Sequence, residues 1–214
     1  MIFYIADLHF DYEPILANGN RPFASIAQMN EQMIRNWNAV VSDEDTVYLI
    51  GDICGHGHPI QGRHLMRLRG KKHLIRGNHD TGLENQQKLF DYFESVTDFL
   101  EIDDRGIHVI LCHYPIVYIQ KGYMIHGHIH NTQKEVYQVL KPLSRVMNAS
   151  ADINHFRPVT LEELIQNNQE FYQTPERGDT GDWLFQKNEK WKADFRPLPV
   201  KPNRTACEPV YPQF

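Results

Sequence analysis

Five short apolar runs in this chain each end in a residue able to ligate a metal ion or move a proton. Asp7-Leu8-His9 follows Ile2-Phe3-Tyr4-Ile5-Ala6, and Gly51-Asp52 follows Val47-Tyr48-Leu49-Ile50. Gly77-Asn78-His79-Asp80 follows His73-Leu74-Ile75-Arg76, and His113 follows Val109-Ile110-Leu111-Cys112. Gly127-His128-Ile129-His130 follows Tyr123-Met124-Ile125-His126. The runs are short and rich in β-branched and aromatic residues, which reads as buried strands. In open α/β sheets the functional crevice lies beyond the carboxyl ends of the strands. The pattern therefore predicts one site fed by Asp, Asn and His side chains from several strand ends. Such oxygen and imidazole donors suit Zn, Mn or Fe.

Between these runs the sequence alternates towards helix. Ser25 and Gln28 form a capping-box pattern. Ile26, Met29, Met33, Ile34, Trp37 and Val41 then recur at helical spacing and predict one buried face. Weaker helices are expected over Gly62–Leu68 and Asn85–Phe93, and another over Leu161–Gln169, starting at Thr160 with Glu163 three residues on. Phe99–Ile102 and Ile107–Cys112 read as a hairpin around Asp103-Asp104-Arg105-Gly106, where the glycine suits a positive φ. Strands are also expected over Val136–Leu140 and Ser144–Met147. The expected organisation is one domain over residues 1–173. Residues 174–214 then form an irregular arm, rich in proline and carrying Trp183, Phe185, Trp191 and Phe195, that packs on the domain or on the partner in a homodimer. A disordered tail is the alternative.

Composition decides which partners to expect. At 214 residues, with 41% hydrophobic and 23% charged residues, the chain can bury a core. A formal charge of -5 leaves no electrostatic footprint for standing nucleic-acid binding. No apolar run is long enough to cross a bilayer, and Ile2 opens a strand at once rather than a signal peptide. Three widely spaced cysteines, Cys54, Cys112 and Cys207, argue against a disulfide framework and for a cytoplasmic protein.

The motif order resembles the calcineurin-like metallophosphoesterases, whose signature runs D-x-H, G-D, G-N-H-[DE], a lone His, then G-H-x-H. The resemblance covers Asp7 to His130 and fills every ligand position. A looser one, through Arg21-Pro22-Phe23, Asn36-Trp37-Asn38, the stretch from Asp45 to Asp52 and the run Arg157 to Leu164, points to small bacterial and phage phosphoesterases. Those relatives usually carry a His-Phe-Gly-His-like run where this chain reads His9-Phe10-Asp11-Tyr12, so the substrate wall near Asp11 and Tyr12 differs. The fold implied is a four-layer αββα sandwich of two mixed sheets flanked by helices. The resemblance implies one metal ion on Asp7, His9, Asp52 and His130 and a second on Asp52, Asn78, His113 and His128, with Asp52 bridging. It implies that His79 protonates the leaving oxygen as a general acid or steadies the phosphoryl group. Asp80 is read either as the group orienting His79 or as a helix N-cap or turn residue.

The charge balance supports that implication. Two divalent ions bring four positive charges, Asp7 and Asp52 remove two, and the other donors are neutral. The centre stays positive and favours a phosphate ester. The expected function is dinuclear metal-dependent hydrolysis of a small phosphoester or nucleotide-like substrate by a metal-bound hydroxide, with diesters favoured because no basic cluster is present to grip a dianionic monoester. The rivals are a non-catalytic protein-interaction scaffold of the same fold, which would have lost ligands, and a nuclease, which would need a basic groove or a capping domain. Other residues read more simply. His56 and His58 belong to a rim loop. His126, Arg76, Cys54 and Cys112 read as structural, and His64, His73, His108 and His155 as surface or satisfied core positions. Asp11, Tyr12 and Tyr114 are weaker candidates for the pocket wall.

Overall fold

The computed structural model describes residues 1–55, 62–80 and 91–173. The rim residues His56 and His58, most of the helix expected over Asn85–Phe93, and the whole of the arm at 174–214 lie outside the described residues. Strands β1 (Ile2–Ile5), β2 (Thr46–Ile50), β3 (Lys71–Ile75) and β4 (Ser95–Thr97) form one sheet in that order, all parallel. An antiparallel bridge from Tyr4 to Val159 extends its β1 edge. Strands β5 (Phe99–Asp104), β6 (Ile107–Cys112), β7 (Tyr123–His126) and β8 (Val146–Asn148) form the second sheet, antiparallel at β5–β6 and parallel thereafter.

Strand alternation builds the layers. Phe3, Ile5, Val47, Leu49 and Leu74 face an outer core, while their neighbours Tyr4, Ala6, Tyr48, Ile50 and Ile75 face the space between the sheets. Val109, Leu111, Ile125 and Met147 fill that space from the second sheet, and Ile110, Met124 and Val146 turn outward. Both faces of β1, β2, β7 and β8 are thus buried, as where helices cover the outside of a sheet, while the outer face of β5 is open to solvent at Phe99, Glu101 and Asp103. Helix α2 (Ile26–Val40) covers the first sheet with Met29, Met33, Ile34 and Trp37, all buried in the outer core. A four-layer αββα sandwich results, as expected.

Local chemistry sets the element ends. Ser25 Oγ accepts from the Gln28 amide at 3.2 Å and opens α2. The hairpin turn is two residues long, and Arg105 (φ +55) and Gly106 (φ +86) both take the left-handed conformation that a type I′ turn requires. A short helix, α1 (Ile15–Asn18), interrupts the loop after the first motif, and α3 (Gly62–Leu65) is the short form of the weak helix expected there. Helix α5 (Leu161–Gln173) runs longer than read from sequence. It begins with a full capping box, in which Thr160 N donates to Glu163 Oε2 at 3.2 Å and Glu163 N donates to Thr160 Oγ1 at 3.3 Å. Thr160→Ala is expected to cost about 1 kcal/mol in urea denaturation, the usual worth of an N-cap.

One element reverses its expected type. The segment read as a strand at Val136–Leu140 is helix α4 (Glu135–Leu140). Its buried residues are Tyr137 and Leu140, three apart, which is helical spacing. Val136 and Val139 give the run a β-like composition, but their alternation does not match burial. Among the described residues, no helix is long and apolar enough to cross a membrane.

Candidate metal centre

The parallel strands β1, β2, β3, β6 and β7 all end at the same edge of the sandwich, and the five motifs meet there. The two sheets are stitched together at this edge. Ala6 N donates to Ala149 O and Ala151 N donates to Ala6 O, both at 2.9 Å, while Phe10 pairs with Cys54 in a bridge that prolongs β1 and β2 of the first sheet. The chain leaves β1, β2 and β7 through tight reversals. Asp7, His9, Asp52, His128 and His130 all have φ between +51° and +72°. Residues with side chains rarely adopt this conformation, and it clusters at functional sites. Gly51 and Gly127 make the close approach feasible. A Cβ on Gly51 would lie 2.3 Å from His113 Nδ1, and one on Gly127 would lie 2.6 Å from Ala6 Cβ.

Two clusters result. The donor atoms of Asp7, His9 and His130 lie within 4.8 Å of one another, and so do those of Asp52, His113 and His128. Asn78 joins the second, its Oδ1 2.9 Å from His128 Nδ1 and 3.0 Å from His113 Nε2. Asp52 Oδ2 lies between the clusters, 3.9 Å from His9 Nε2 and 3.4 Å from His113 Nε2. His9 and His130 stack at 5.0 Å with their Nε2 atoms 3.3 Å apart. All seven residues singled out from the sequence as metal ligands are therefore brought together.

The donor set fits a pair of cations. Asp7, His9, Asp52 and His113 are each exposed by no more than 1%. Burial raises the Asp7 pKa, so its charge calls for a nearby positive partner. Burial presses His9 down to about 2, which keeps its ring neutral and able to donate a lone pair. Burial also opposes charge on His113, but its hydrogen bond to Asp52 and the charges of Asp7 and Asp52 outweigh this and lift it to about 9. His113 thus carries the proton that a cation would replace.

His79 flanks this centre without belonging to either cluster. Its backbone N–H donates to Asp52 Oδ1 at 2.9 Å, and its Nε2 is 3.9 Å from Asp52 Oδ2. Its ring meets His9 edge-on at 5.3 Å and lies 6.2 Å from Tyr12. The buried Asp80 carboxylate accepts from the backbone N–H groups of Asp52, Ile53 and Gly77 at 2.8, 3.0 and 2.9 Å. These three bonds tie the Gly51-Asp52 loop to the Gly77–Asp80 turn, so the turn role of Asp80 is present in the structure. Of the weaker candidates, Tyr12 packs beside His9 and His79, and the half-exposed Tyr114 packs against His128 at 4.7 Å. Asp11 turns the other way, pairing with His64 Nε2 at 2.9 Å and Arg63 at 3.0 Å. His126 is fully buried and donates from Nδ1 to Gly127 O at 2.8 Å, and Arg76 pairs with Asp98, both structural as expected. Cys54 is buried as expected, whereas Cys112 is only partly so, on the outer face of the second sheet.

Sequence reasoning missed Asp152. It lies in a loop, Ser150 to Asn154, that carries none of the sequence motifs and is buried throughout. Asp152 Oδ2 accepts from His130 Nδ1 at 2.8 Å, and both carboxylate oxygens accept from Arg21 at 2.9 and 3.0 Å. Burial alone would raise the Asp152 pKa. The Arg21 and His130 charges overcome that and hold it well below the usual carboxylate range. A carboxylate depressed in the folded state contributes stability above its unfolded pKa of about 3.9, and that share is lost as pH falls below it. Metal-free protein is therefore expected to lose stability as pH drops below about 4. In chemical denaturation the gap between it and Asp152→Asn should narrow over that range.

Comparison with known proteins agrees with this geometry. The model of the calcineurin-like phosphoesterase family matches residues 1–193, and the chain belongs to that family. An uncharacterized protein of Methanocaldococcus jannaschii, MJ1445, is 32% identical over 170 residues, covering 77% of this chain and 89% of that one. The crystal structure of AQ665, a protein of unknown function from Aquifex aeolicus, superposes with a TM-score of 0.60 at 25% identity, covering 78% of this chain and 98% of that one.

Proposed function

We propose that this chain hydrolyses phosphoesters with two divalent ions, Mn, Zn or Fe, and favours phosphodiesters such as nucleotide-like molecules. The observation that carries the reading is the position of Asp52 Oδ2 between two complete donor clusters. One position would be held by Asp7, His9, Asp52 and His130, the other by Asp52, Asn78, His113 and His128. When bound, the ions would supply an activated water and neutralise phosphoryl oxygens. The chain supplies the rest. The buried carboxylates and neutral imidazoles hold the cations in a centre of net positive charge, which draws an anionic ester. His79, beside the centre and partly exposed, would protonate the leaving oxygen. Asp80 holds the two loops that carry Asp52 and His79 in register. Tyr12 and Tyr114 stand on opposite flanks and form walls for the organic part of the substrate.

A panel of phosphomonoesters, linear and cyclic diesters and short oligonucleotides, assayed with each metal after chelation, tests the proposal. Diester turnover that is abolished by the chelator and restored by metal is the expected result. Two bound ions with no turnover on any ester would favour a scaffold instead.

A further inference from the structure

We infer that the Arg21–Asp152 pair is the positioning unit of one metal position: Asp152 orients His130, and Arg21 holds Asp7-Leu8-His9 in its ligating shape. The inference rests on the dinuclear reading above. Both side chains are wholly buried. A buried ion pair is weak evidence for stability, because desolvation offsets most of the attraction. Its contacts point to a different role.

Asp152 Oδ2 lies 2.8 Å from His130 Nδ1. A carboxylate only accepts, so Nδ1 carries a hydrogen and Nε2 is the nitrogen left for a metal ion. That Nε2 is the atom facing His9 Nε2. The same Asp152 oxygen accepts from Ser150 Oγ at 2.9 Å and from Arg21 Nη2 at 3.0 Å, so three donors fix its position. Arg21 then reaches past Asp152 to the first motif. Its Nη2 donates to Asp7 O at 2.6 Å and its Nη1 to Leu8 O at 2.8 Å. These carbonyls belong to the segment in which Asp7 and His9 hold left-handed φ values of +57° and +52°. One guanidinium thus binds both the strained loop that presents two donors and the carboxylate that aims the third. The other cluster is braced differently: Asp80 ties its loops through the backbone N–H groups of Asp52 and Gly77 and touches none of its imidazoles in the described contacts. His113 Nδ1 donates to the neutral backbone oxygen of Ile50 at 2.8 Å. The pair should therefore act on one position and leave the other alone.

Calorimetric titration of the metal-stripped full chain with Mn²⁺ tests this. Wild type is expected to show two binding events per chain. Asp152→Asn keeps the size of the side chain and an acceptor for Arg21, and should weaken one event about 10–100-fold, as loss of an outer-shell partner does. The other event should change by much less. Equal weakening of both events, or a lowered melting temperature with both unchanged, overturns the inference and leaves a merely structural ion pair. A wild-type chain that binds fewer than two ions overturns the dinuclear reading itself, before any variant is made. If Asp152→Asn does not fold, the ring spectrum of the Zn²⁺-loaded wild type decides. His130 should ligate through Nε2 and show a downfield Nδ1 proton protected from exchange. Ligation through Nδ1, or no protected proton, overturns the inference.

Discussion

Asp52→Asn is expected to weaken both metal positions together, by more than the roughly 10–100-fold that loss of an outer-shell partner causes. Asp52 Oδ2 stands between His9 and His113, and Oδ1 accepts the His79 amide. An amide in its place offers one oxygen rather than two and no charge. The centre would lose a shared ligand and half of its anionic compensation. Elemental analysis of reloaded protein, paired with the diester assay, reads the result. Retention of one ion at native affinity would show that Asp52 serves a single position. The neighbouring Asp7→Asn makes a useful contrast, since Asp7 belongs to one cluster only.

His79→Ala is expected to retain both ions and lower kcat by about 10²–10⁴-fold on substrates with poor leaving groups, the usual share of general acid catalysis. The ring is close enough to Asp52 to act at the centre, yet it lies outside both donor clusters. Esters with activated leaving groups need less protonation and should lose less. A uniform loss across leaving groups would mean that His79 steadies the phosphoryl group rather than donating a proton. Loss of metal in this variant would make it a ligand.

The site was legible in the sequence because its ligands sit immediately after strands, where a single residue type is both a local signal and a statement of position. Asp7, Asp52, His113 and His128 are read that way, and the sheets place them together. Asp152 was not legible for the opposite reason. Nothing in Ser150-Ala151-Asp152-Ile153-Asn154 distinguishes a buried polar loop from an exposed one. Its role comes from Arg21, more than a hundred residues earlier in the chain. The fold shows the same division. The continuous burial of β1 and β2 follows from their unbroken apolar runs, and the alternating burial of β6 from its period of two. The three-residue strand β4 is too short to carry a period, and only its pairing with β3 makes it a strand. Helix α4 was misread because a short apolar run with valines does not separate strand from helix.

The donors are divided between the two sheets, and this has a consequence for how the chain matures. Asp7, His9, Asp52 and Asn78 follow strands of the first sheet, while His113, His128 and His130 follow strands of the second. Neither ion could be fully held until the second sheet has docked. During synthesis the segments of the first sheet emerge before those of the second. A nascent chain displaying only the first sheet would offer a half-built, carboxylate-bearing edge with little selectivity. Ion capture would then act as a latch on the last docking step, favouring the closed sandwich over any state in which the sheets have parted, in proportion to the free metal around it.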